Sequence, residues 1–395
     1  MLSFHQGWNL TEAEREVYRK RSQASSRAKA KAMRGEGEKP IHAINIPNLK
    51  PEKLMPQLPR NQWRSLSLFS GCGGLDLGFE RSGFTHVASY EILPEAGQTL
   101  QNLQPNWKIF SGEQGDARKI DWRQYRNLVD VVQGGPPCQP FSLAGRQKGG
   151  EDSRDLFPEF IRAILEIEPL VFVAENVPAL VSKKFARYVG EMIISPLSKK
   201  YTLTHFILDA SSFGIPQVRK RVFFVGFKDS RIAQKYQPPQ PTHEASQFPN
   251  SQSNSEIQLN LFSNEKKPHC MGAREALGLP DIGFDGLSPT LRSSLTGPRH
   301  TTSILSSASA QKAWEKLQIW PNGVAENREK ARLFVAKNGH FRLSVPDCAI
   351  LQGFPESWRI YGPVYMALGQ IGNAVPPPMA YQVALSINQA LSSSS

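Results

Sequence analysis

The chain has 395 residues, of which 39% are apolar and 21% charged, and its formal net charge is +12. This composition is typical of a folded globular protein with roughly two to three domains. No apolar run of about eighteen residues predicts a transmembrane helix, and the N-terminus lacks the basic and apolar regions of a secretory signal. We therefore expect a cytoplasmic protein without a membrane partner.

Residues 1–60 hold about half of the excess positive charge, with 12 Lys and Arg against 6 Asp and Glu. Within them, residues 11–34 predict a basic helix that begins with a capping box of Thr11 and Glu14. A basic surface attracts polyanions such as DNA. Contact with DNA and simple solvation of a charged extension both remain open for this segment.

From Ser65 to Phe227 the sequence alternates between strand and helix patterns. The runs SLSLF, THVASYE, VDVVQGG and LVFVAEN predict four strands, and residues 156–165 predict a helix capped by Asp152 or Ser153. Strands joined by crossover helices form a mostly parallel sheet with helices on both faces, a Rossmann-like α/β fold. Ligands in such folds bind at the carboxyl ends of the strands.

The pattern changes after Phe227. The stretch 236–268 is polar and proline-rich and predicts a linker or long surface loop. Residues 270–340 show no clean period, so we expect a smaller domain of irregular or β-rich structure. Near the C-terminus one apolar stripe predicts a helix that packs back on the first domain. Its members are Met379, Val383, Ile387, Ala390 and Leu391.

A glycine-rich turn, FSGCGGLDLGFERSGF, follows the first predicted strand. Glycines there allow a tight turn and close approach to a ligand, but Asp76 stands where a dinucleotide-binding fingerprint needs glycine, which disfavours a nicotinamide oxidoreductase. Glu91 ends the second strand, where an acid accepts ribose hydroxyls, and Asp116 can accept from an adenine amino group. The pattern favours a nucleoside-containing cofactor, although each acid alone is also typical of a cap or turn.

The stretch GGPPCQPFSLAGRQKGG places Cys138 after the strand VDVVQGG, at the expected ligand edge. The four cysteines of the chain form no CxxC pair, which argues against a disulfide framework or a zinc site, so no metal is expected. A thiolate suits addition to an electron-poor ring carbon. An inert, packed thiol is the alternative, but Glu175 ends the adjacent strand and brings a carboxyl group to the same edge.

Five stretches occur in a fixed order along the chain: FSGCGGLDLGFERSGF, PPCQPFS, AENV, SSFGIPQVRKRVFFVG and ILQGFPESW with QIGNAVPPPMA. Over residues 65–395 the sequence closely resembles the DNA (cytosine-5)-methyltransferases. The resemblance implies that Cys138 adds to carbon 6 of a flipped cytosine and that Glu175 holds its N3 and amino group. It further implies that Arg219 and Arg221 organise the site, with Arg221 at the cytosine carbonyl.

The resemblance also implies S-adenosyl-L-methionine as cofactor and double-stranded DNA as substrate. The implied cofactor-binding residues are Phe69, Gly71, Cys72, Gly73, Gly74, Leu75, Glu91, Ile92, Asp116, Ala117, Pro136, Leu156, Asn373 and Val375. The residues expected at DNA are Gln139, Ser142, Arg146 and Lys148 of the cysteine loop, which we expect to close on the flipped base, and Arg292, Arg299 and Thr301 of the smaller domain.

The expected organisation is a basic extension at 1–60 and a catalytic and cofactor-binding domain at 61–228, completed by 363–395. A target-recognition domain at 229–362 includes a supporting motif around Gln352, which departs from the family pattern at Asp347 and Ile350. We expect a monomer, with a cognate restriction endonuclease as functional partner. A tRNA cytosine-5 methyltransferase is disfavoured because the Cys-Phe-Thr motif of that branch is absent, and a non-catalytic DNA-binding homologue because Cys138 and Glu175 are both present.

Overall fold

The computed structural model describes residues 43–137, 155–244, 267–292, 301–333 and 339–393, with six helical residues between 12 and 23. Most of the predicted basic helix at 11–34 therefore lies outside the described residues. The same is true of six predicted site residues: Cys138, Gln139, Ser142, Arg146, Lys148 and Arg299.

The centre of the fold is a seven-stranded sheet in the order β3-β2-β1-β4-β5-β7-β6. All neighbours are parallel except β7, which is antiparallel to both β5 and β6. The mostly parallel sheet predicted from the sequence is confirmed. The strands are β1 (Arg64–Leu68), β2 (Thr85–Glu91), β3 (Ile109–Ser111), β4 (Val131–Gly134), β5 (Val171–Asn176), β6 (Thr202–Asp209) and β7 (Lys220–Phe227).

Helices cover both faces of the sheet. Among the described residues no helix is long and apolar enough to cross a membrane. They are α1 (Pro51–Leu54), α2 (Gly74–Arg81), α3 (Pro94–Leu103), α4 (Phe157–Ile167), α5 (Ala186–Tyr188, continued by a π-helical turn Val189–Ile194 and by Ser195–Ser198), α6 (Ser230–Lys235), α7 (Ala273–Ala276), α8 (Ala308–Lys316), α9 (Arg328–Arg332), α10 (Val345–Gln352), α11 (Val364–Asn373) and α12 (Pro377–Ser392).

The helix predicted at 156–165 begins at Phe157, so the predicted caps Asp152 and Ser153 lie too far upstream and that prediction is wrong. Leu156 occupies the N-cap position without a side-chain hydrogen bond. The carboxylate of Asp155 instead accepts the N–H of Phe157 at 3.0 Å. An acid two residues before a first-turn amide satisfies one of the free N–H groups of the helix start.

Two apolar layers sandwich the sheet. On one face Phe160 of α4 lies in one apolar cluster with Val132 of β4 and Phe172 of β5. On the other face lie α2 and α12, and the five residues of the predicted C-terminal stripe are all buried there. Strands covered on both sides need apolar side chains on both faces, which explains the continuous apolar runs of β4 and β5.

A third apolar cluster joins this core to the smaller, C-terminal part of the chain. It contains Cys72 and Leu100 beside Trp314 and Phe354. The described part of residues 270–340 holds short helices and β8 (Ile319–Ala325), which pairs in parallel with β9 (Phe341–Ser344). Most of its remaining described backbone is irregular.

Helices α2 and α12 approach so closely that there is no room for a side chain at Gly78. A β-carbon there would lie 2.6 Å from both the Ala380 β-carbon and the Tyr381 nitrogen. We predict that Gly78→Ala lowers the free energy of unfolding by about 1–3 kcal/mol through overpacking. Urea titration followed by circular dichroism measures this.

Gly190, inside α5, is the matched control because a β-carbon there meets no atom within 4 Å. Gly190→Ala should raise stability by about 0.5–1 kcal/mol, since alanine loses less backbone entropy on folding than glycine does. Equal stability of the two variants would contradict the close contact of α2 with α12.

Candidate active site

Four chain segments meet at one edge of the sheet. The carboxyl ends of β1, β4 and β5 lie there because these strands are parallel. The amino end of β7 lies there because β7 runs the other way. This edge therefore brings together the predicted glycine turn, the residues that lead into Cys138, the acid Glu175, and the arginines 219 and 221.

The turn after β1 takes a left-handed backbone path. Phe69, Gly71 and Gly73 have φ angles of 56°, 55° and 84°. A β-carbon on Gly73 would lie 2.5 Å from Leu100, and one on Gly74 would lie 2.2 Å from the Val375 carbonyl oxygen. Gly71 differs because a β-carbon there would meet nothing within 4 Å. The turn is thus closely packed at Gly73 and Gly74 and has open space beside Gly71, where a ligand could approach the backbone. We call this turn, together with Glu91, the cofactor cradle.

Glu91 closes one side of this cradle. Its Oε2 accepts the N–H of Gly71 at 2.7 Å, and its Oε1 accepts the N–H of Leu93 at 2.8 Å. Burial raises the pKa of Glu91, and the two N–H bonds oppose that rise. Each carboxylate oxygen has a further lone pair for a ligand hydroxyl. The adjacent Ile92 side chain is 46% exposed, an apolar surface beside the acid.

Asp116 follows the short β3 and is clamped by Arg118. The Nε and Nη2 atoms of Arg118 donate to Oδ1 and Oδ2 of Asp116, both at 2.8 Å. This pairing lowers the pKa of Asp116 below its usual value. The acid is therefore an ionised acceptor with part of its capacity already used.

Arg162 of α4 holds the backbone next to Asp116. Its guanidinium donates to the carbonyl oxygens of Ala117 at 2.8 Å and Ile120 at 3.0 Å. It is fixed in turn by Glu159 and Glu166, one turn away on either side of it in the same helix. Arg162 thus ties the segment that contains two predicted cofactor residues to a rigid helix.

The remaining predicted cofactor residues are more dispersed. Cys72 and Leu75 are buried, and the Cys72 carbonyl oxygen accepts the indole N–H of Trp358 at 2.9 Å. Leu156 is partly buried at the start of α4, whereas Asn373 is exposed at the end of α11. Their backbones border the edge described above, but the side chains of Cys72 and Leu75 belong to the core.

A carboxyl–guanidinium pair lies at the end of β5. Oε1 of Glu175 is 2.9 Å from Nε of Arg221, and both side chains are nearly buried. Gly135 faces the other carboxyl oxygen, since a β-carbon there would lie 3.0 Å from Oε2. Burial raises the pKa of Glu175, and the charges of Arg221 and Arg219 oppose this rise.

The segment that leads into Cys138 is anchored by Asn176. Its amide donates to the carbonyl oxygen of Pro136 at 3.0 Å, while its own oxygen accepts the N–H of Val177 at 2.9 Å. Glu175 and Asn176 therefore act on one short segment from adjacent positions of β5. Cys138 itself lies just beyond the described residues.

Arg219 binds the C-terminal segment of the chain. Its buried guanidinium donates to the carbonyl oxygens of Gly372 at 2.9 Å and Ala374 at 2.7 Å. Gln217 donates to Gln352 at 2.9 Å, and Gln352 donates to Ala374 at 2.6 Å. We call Gln217, Arg219, Gln352 and Ala374 the buried amide cluster. It fastens β7 to the C-terminal segment that contacts Gly74.

The residues expected to read DNA are only partly described. Arg292 is partly buried and donates to the Leu305 carbonyl oxygen at 3.5 Å, and the Thr301 hydroxyl accepts the N–H of Ser303 at 3.1 Å. Asp347, where the sequence departs from the family pattern, forms a capping box with Ser344 at the start of α10. The shorter acid is thus well suited to this helix start, and Ile350 is buried in the same helix.

Comparison with known proteins agrees with this geometry. The family model of the C-5 cytosine-specific DNA methylases matches residues 63–389.

The chain belongs to this family. It is 33% identical over 330 residues to the type II methyltransferase M.NgoMIV of Neisseria gonorrhoeae, covering 84% of this chain and 98% of that protein. It is 31% identical over 356 residues to M.FnuDI of Fusobacterium nucleatum, covering 82% and 94%. The chain is therefore a DNA cytosine-5 methyltransferase.

Solved structures show the same fold. A protein encoded within a prophage of E. coli, described as a DNA modification methyltransferase, aligns with a TM-score of 0.54 at 23% identity over 84% of this chain and all of that chain. A Spodoptera frugiperda DNMT2 mutant aligns with a TM-score of 0.52 at 18% identity over 84% and 99%. At these identities the likeness concerns the fold.

The methyltransferase site contains residues that the sequence did not single out. Arg162 is one, because its position predicts only the solvent face of an amphipathic helix. Gln217 is another, although it lies inside a recognised motif. The motifs also include Gln352 and Asn176, but they do not predict the contacts of these residues with Gln217 and with the Pro136 carbonyl oxygen. Only the tertiary contacts reveal what these polar groups bind.

We predict that Arg162→Met weakens binding of the methyl donor about tenfold, because two carbonyl anchors beside Asp116 are lost. Calorimetry measures the affinity, and steady-state assays should show a raised KM for this cofactor with kcat at saturation near that of the wild type. Arg123→Met is the control, since Arg123 forms only an exposed pair with Asp121. A reduced kcat with unchanged cofactor affinity would refute the anchoring role.

Proposed function

We propose that the chain methylates carbon 5 of a flipped-out cytosine in duplex DNA, with S-adenosylmethionine as methyl donor and through a covalent Cys138 adduct. The observation that supports this most is the pair of Glu175 and Arg221 against the backbone of Gly135, three residues before Cys138. An acid, a cation and the segment leading into a thiol meet at one sheet edge, beside an open glycine turn.

The cradle fits the proposed cofactor. Glu91 is a buried acceptor for ribose hydroxyls, Asp116 is an ionised acceptor for an adenine amino group, and Gly71 leaves open space beside them. The apolar side chains of Phe69 and Ile92 suit the faces of a purine ring. When bound, S-adenosylmethionine supplies an electrophilic methyl group on its sulfonium sulfur.

The protein groups activate the other reactant. The Cys138 thiolate forms a bond to carbon 6 of cytosine, and the electron pair of the 5,6 double bond makes carbon 5 nucleophilic. Glu175 holds a proton at N3 of the ring, because burial keeps this carboxyl protonated at higher pH than an exposed one. Arg221 donates to the ring carbonyl. Carbon 5 would then take the methyl group that the cofactor supplies. Loss of the carbon 5 proton to solvent restores the 5,6 double bond, and the sulfur–carbon bond breaks to regenerate the thiolate.

DNA must be distorted for this chemistry. The ring atoms are stacked inside a duplex, and swinging a nucleotide out costs a few kcal/mol. We assign closure over the flipped base to the loop that follows Cys138, with Arg146 and Lys148 at backbone phosphates. Arg292, Arg299 and Thr301 are the candidates for target selection, since arginine reads guanine through paired hydrogen bonds.

The biological setting we propose is DNA modification in the cytoplasm, by a monomer, together with a cognate restriction endonuclease. The support is that curated relatives such as M.NgoMIV and M.FnuDI are named type II methyltransferases. Bisulfite sequencing of DNA from cells that express the chain tests the activity and reports the target sequence. Tritium transfer from labelled cofactor to tRNA instead of duplex DNA would contradict the DNA assignment.

We predict that Cys138→Ser abolishes methylation but retains DNA binding, because serine keeps the size of cysteine and lacks a thiolate. Duplex DNA containing 5-fluorocytosine should trap the wild type covalently, since fluorine replaces the proton whose loss releases the thiolate. Denaturing gel electrophoresis detects the adduct. Normal turnover of the serine variant would exclude the covalent route.

We predict that Glu175→Gln lowers kcat by roughly 10²–10⁴-fold, because the amide cannot deliver a proton to N3. The wild-type rate should fall as pH rises through the raised pKa of Glu175, whereas the residual rate of the variant should not follow this limb. A wild-type rate that rises over this window would argue against Glu175 as the acid.

The pH dependence of the free energy of unfolding gives an independent measure of the protonation of Glu175. A carboxyl whose pKa is raised by folding favours the folded state at low pH, and this contribution is lost as pH rises from its ordinary pKa through the raised value. The wild type should therefore lose stability relative to Glu175→Gln across that window. Denaturant unfolding at several pH values measures the difference.

A further inference from the structure

Residues 45–61, which we call the strap, precede the region matched by the family model, which begins at residue 63. The strap is fully described and contains α1. Its two ends contact different parts of the molecule, and Leu49 and Met55 between them are buried in the cluster that joins the core to the smaller domain.

At its first end the strap lies along the C-terminus of α7. The Leu49 N–H donates to the Ala276 carbonyl oxygen at 3.1 Å, and the Asn45 amide donates to the Leu277 carbonyl oxygen at 3.0 Å. The contact is close, because a β-carbon on Gly278 would lie 1.9 Å from the Ile46 carbonyl oxygen.

At its second end the strap lies along the C-terminus of α2. The Leu58 N–H donates to the Arg81 carbonyl oxygen and the Asn61 N–H to that of Gly83, both at 2.8 Å. Helix α2 begins directly after the glycine turn of the cofactor cradle. The strap therefore spans from the catalytic sheet to the smaller domain.

Asn45 also binds the fully buried carboxylate of Asp347. Oδ1 of Asp347 accepts from the Asn45 amide at 3.1 Å and from Nε of Arg328 at 2.9 Å. Its Oδ2 accepts the N–H and hydroxyl of Ser344. A buried carboxylate needs such donors, so Asn45 contributes to a junction of α9, α10 and the strap.

The contacts continue from α7 to the active-site edge. Asp285 accepts the N–H groups of Arg274 and Glu275 in α7. Three residues on, the Ser288 carbonyl oxygen accepts the Val218 N–H at 2.8 Å, and Gln217 accepts the N–H of Leu291 at 3.2 Å. Segment 285–292 thus lies between α7 and the residues that precede Arg219 and Arg221.

We infer that the strap holds segment 285–292, which includes Arg292, in register with the catalytic edge, and that Asn45 is a positioning residue for the choice of target sequence in duplex DNA. This inference rests on the proposed DNA methylation. The hydrogen bonds of the strap described above go to α2, α7 and Asp347 and not to Glu91, Asp116 or Glu175, so we expect loss of the Asn45 contacts to act on recognition of DNA and leave cofactor binding intact.

The test compares Asn45→Ala and Asn45→Asp with Asn48→Ala. Asn48 is the control because it is exposed, so water can replace the bond from its amide to the Glu275 carbonyl oxygen. The target is first defined by bisulfite sequencing of the wild type. Rates are then measured on that target and on duplexes with one altered base pair, at a temperature where each variant is folded by circular dichroism.

Asn45→Ala should raise the KM for DNA and lower the discrimination between the two duplexes about fivefold, with affinity for S-adenosylmethionine unchanged. Asn45→Asp should have the larger effect, because it sets a second carboxylate against Asp347, and Asn48→Ala should match the wild type. If an active Asn45→Ala variant discriminates between the two duplexes as the wild type does, the inference about Asn45 is wrong, even if the melting temperature is lowered. The proposed function would still stand. A wild type that methylates no DNA overturns the proposed function as well.

Discussion

The reversed strand β7 is the constraint on which the active site depends. Because β7 is antiparallel to β5, its first residues lie beside the last residues of β5, and Arg221 reaches Glu175 across that pair. A parallel strand in the same place would put its arginines at the opposite edge of the sheet. Two effects then act in opposite directions on the pKa of Glu175: burial away from water raises it, and the charges of Arg221 and Arg219 lower it.

The buried amide cluster extends this arrangement to segments distant in sequence. Gln217 and Arg219 precede β7, Gln352 ends α10, and Ala374 leads into α12. The same C-terminal segment lies against Gly74 in the cofactor turn. Buried polar groups that are hydrogen-bonded to one another hold their partners in one geometry, since breaking such a bond leaves a costly unpaired atom. The glycine turn and the pair of Glu175 and Arg221 are therefore linked by one connected framework.

Much of this was predictable from the sequence, for physical reasons that also set the limits. Strands β1, β2, β4 and β5 are short segments ended by glycine or polar residues, so their existence follows from local pattern and their parallel direction from the crossover helices between them. The direction of β7 does not, because it depends on how the connection after β6 turns. Ordered motifs point to Glu175 and Arg221, but the strap lies in a basic extension without periodicity. Contacts of Asn45 and Arg162 with backbone carbonyls leave no trace in composition or spacing.

The two prolines before Cys138 have one more consequence. Proline lacks an N–H group, so Pro136 and Pro137 can be held through the backbone only at their carbonyl oxygens. The Asn176 amide is a donor of the required kind, and an aspartate there would face the Pro136 oxygen with another acceptor. Breaking this bond leaves the Pro136 oxygen without its donor and the buried Asn176 amide without its acceptor. The lead-in to the thiol is therefore held against β5 by a side chain, at a point where proline can form no ladder bond of its own.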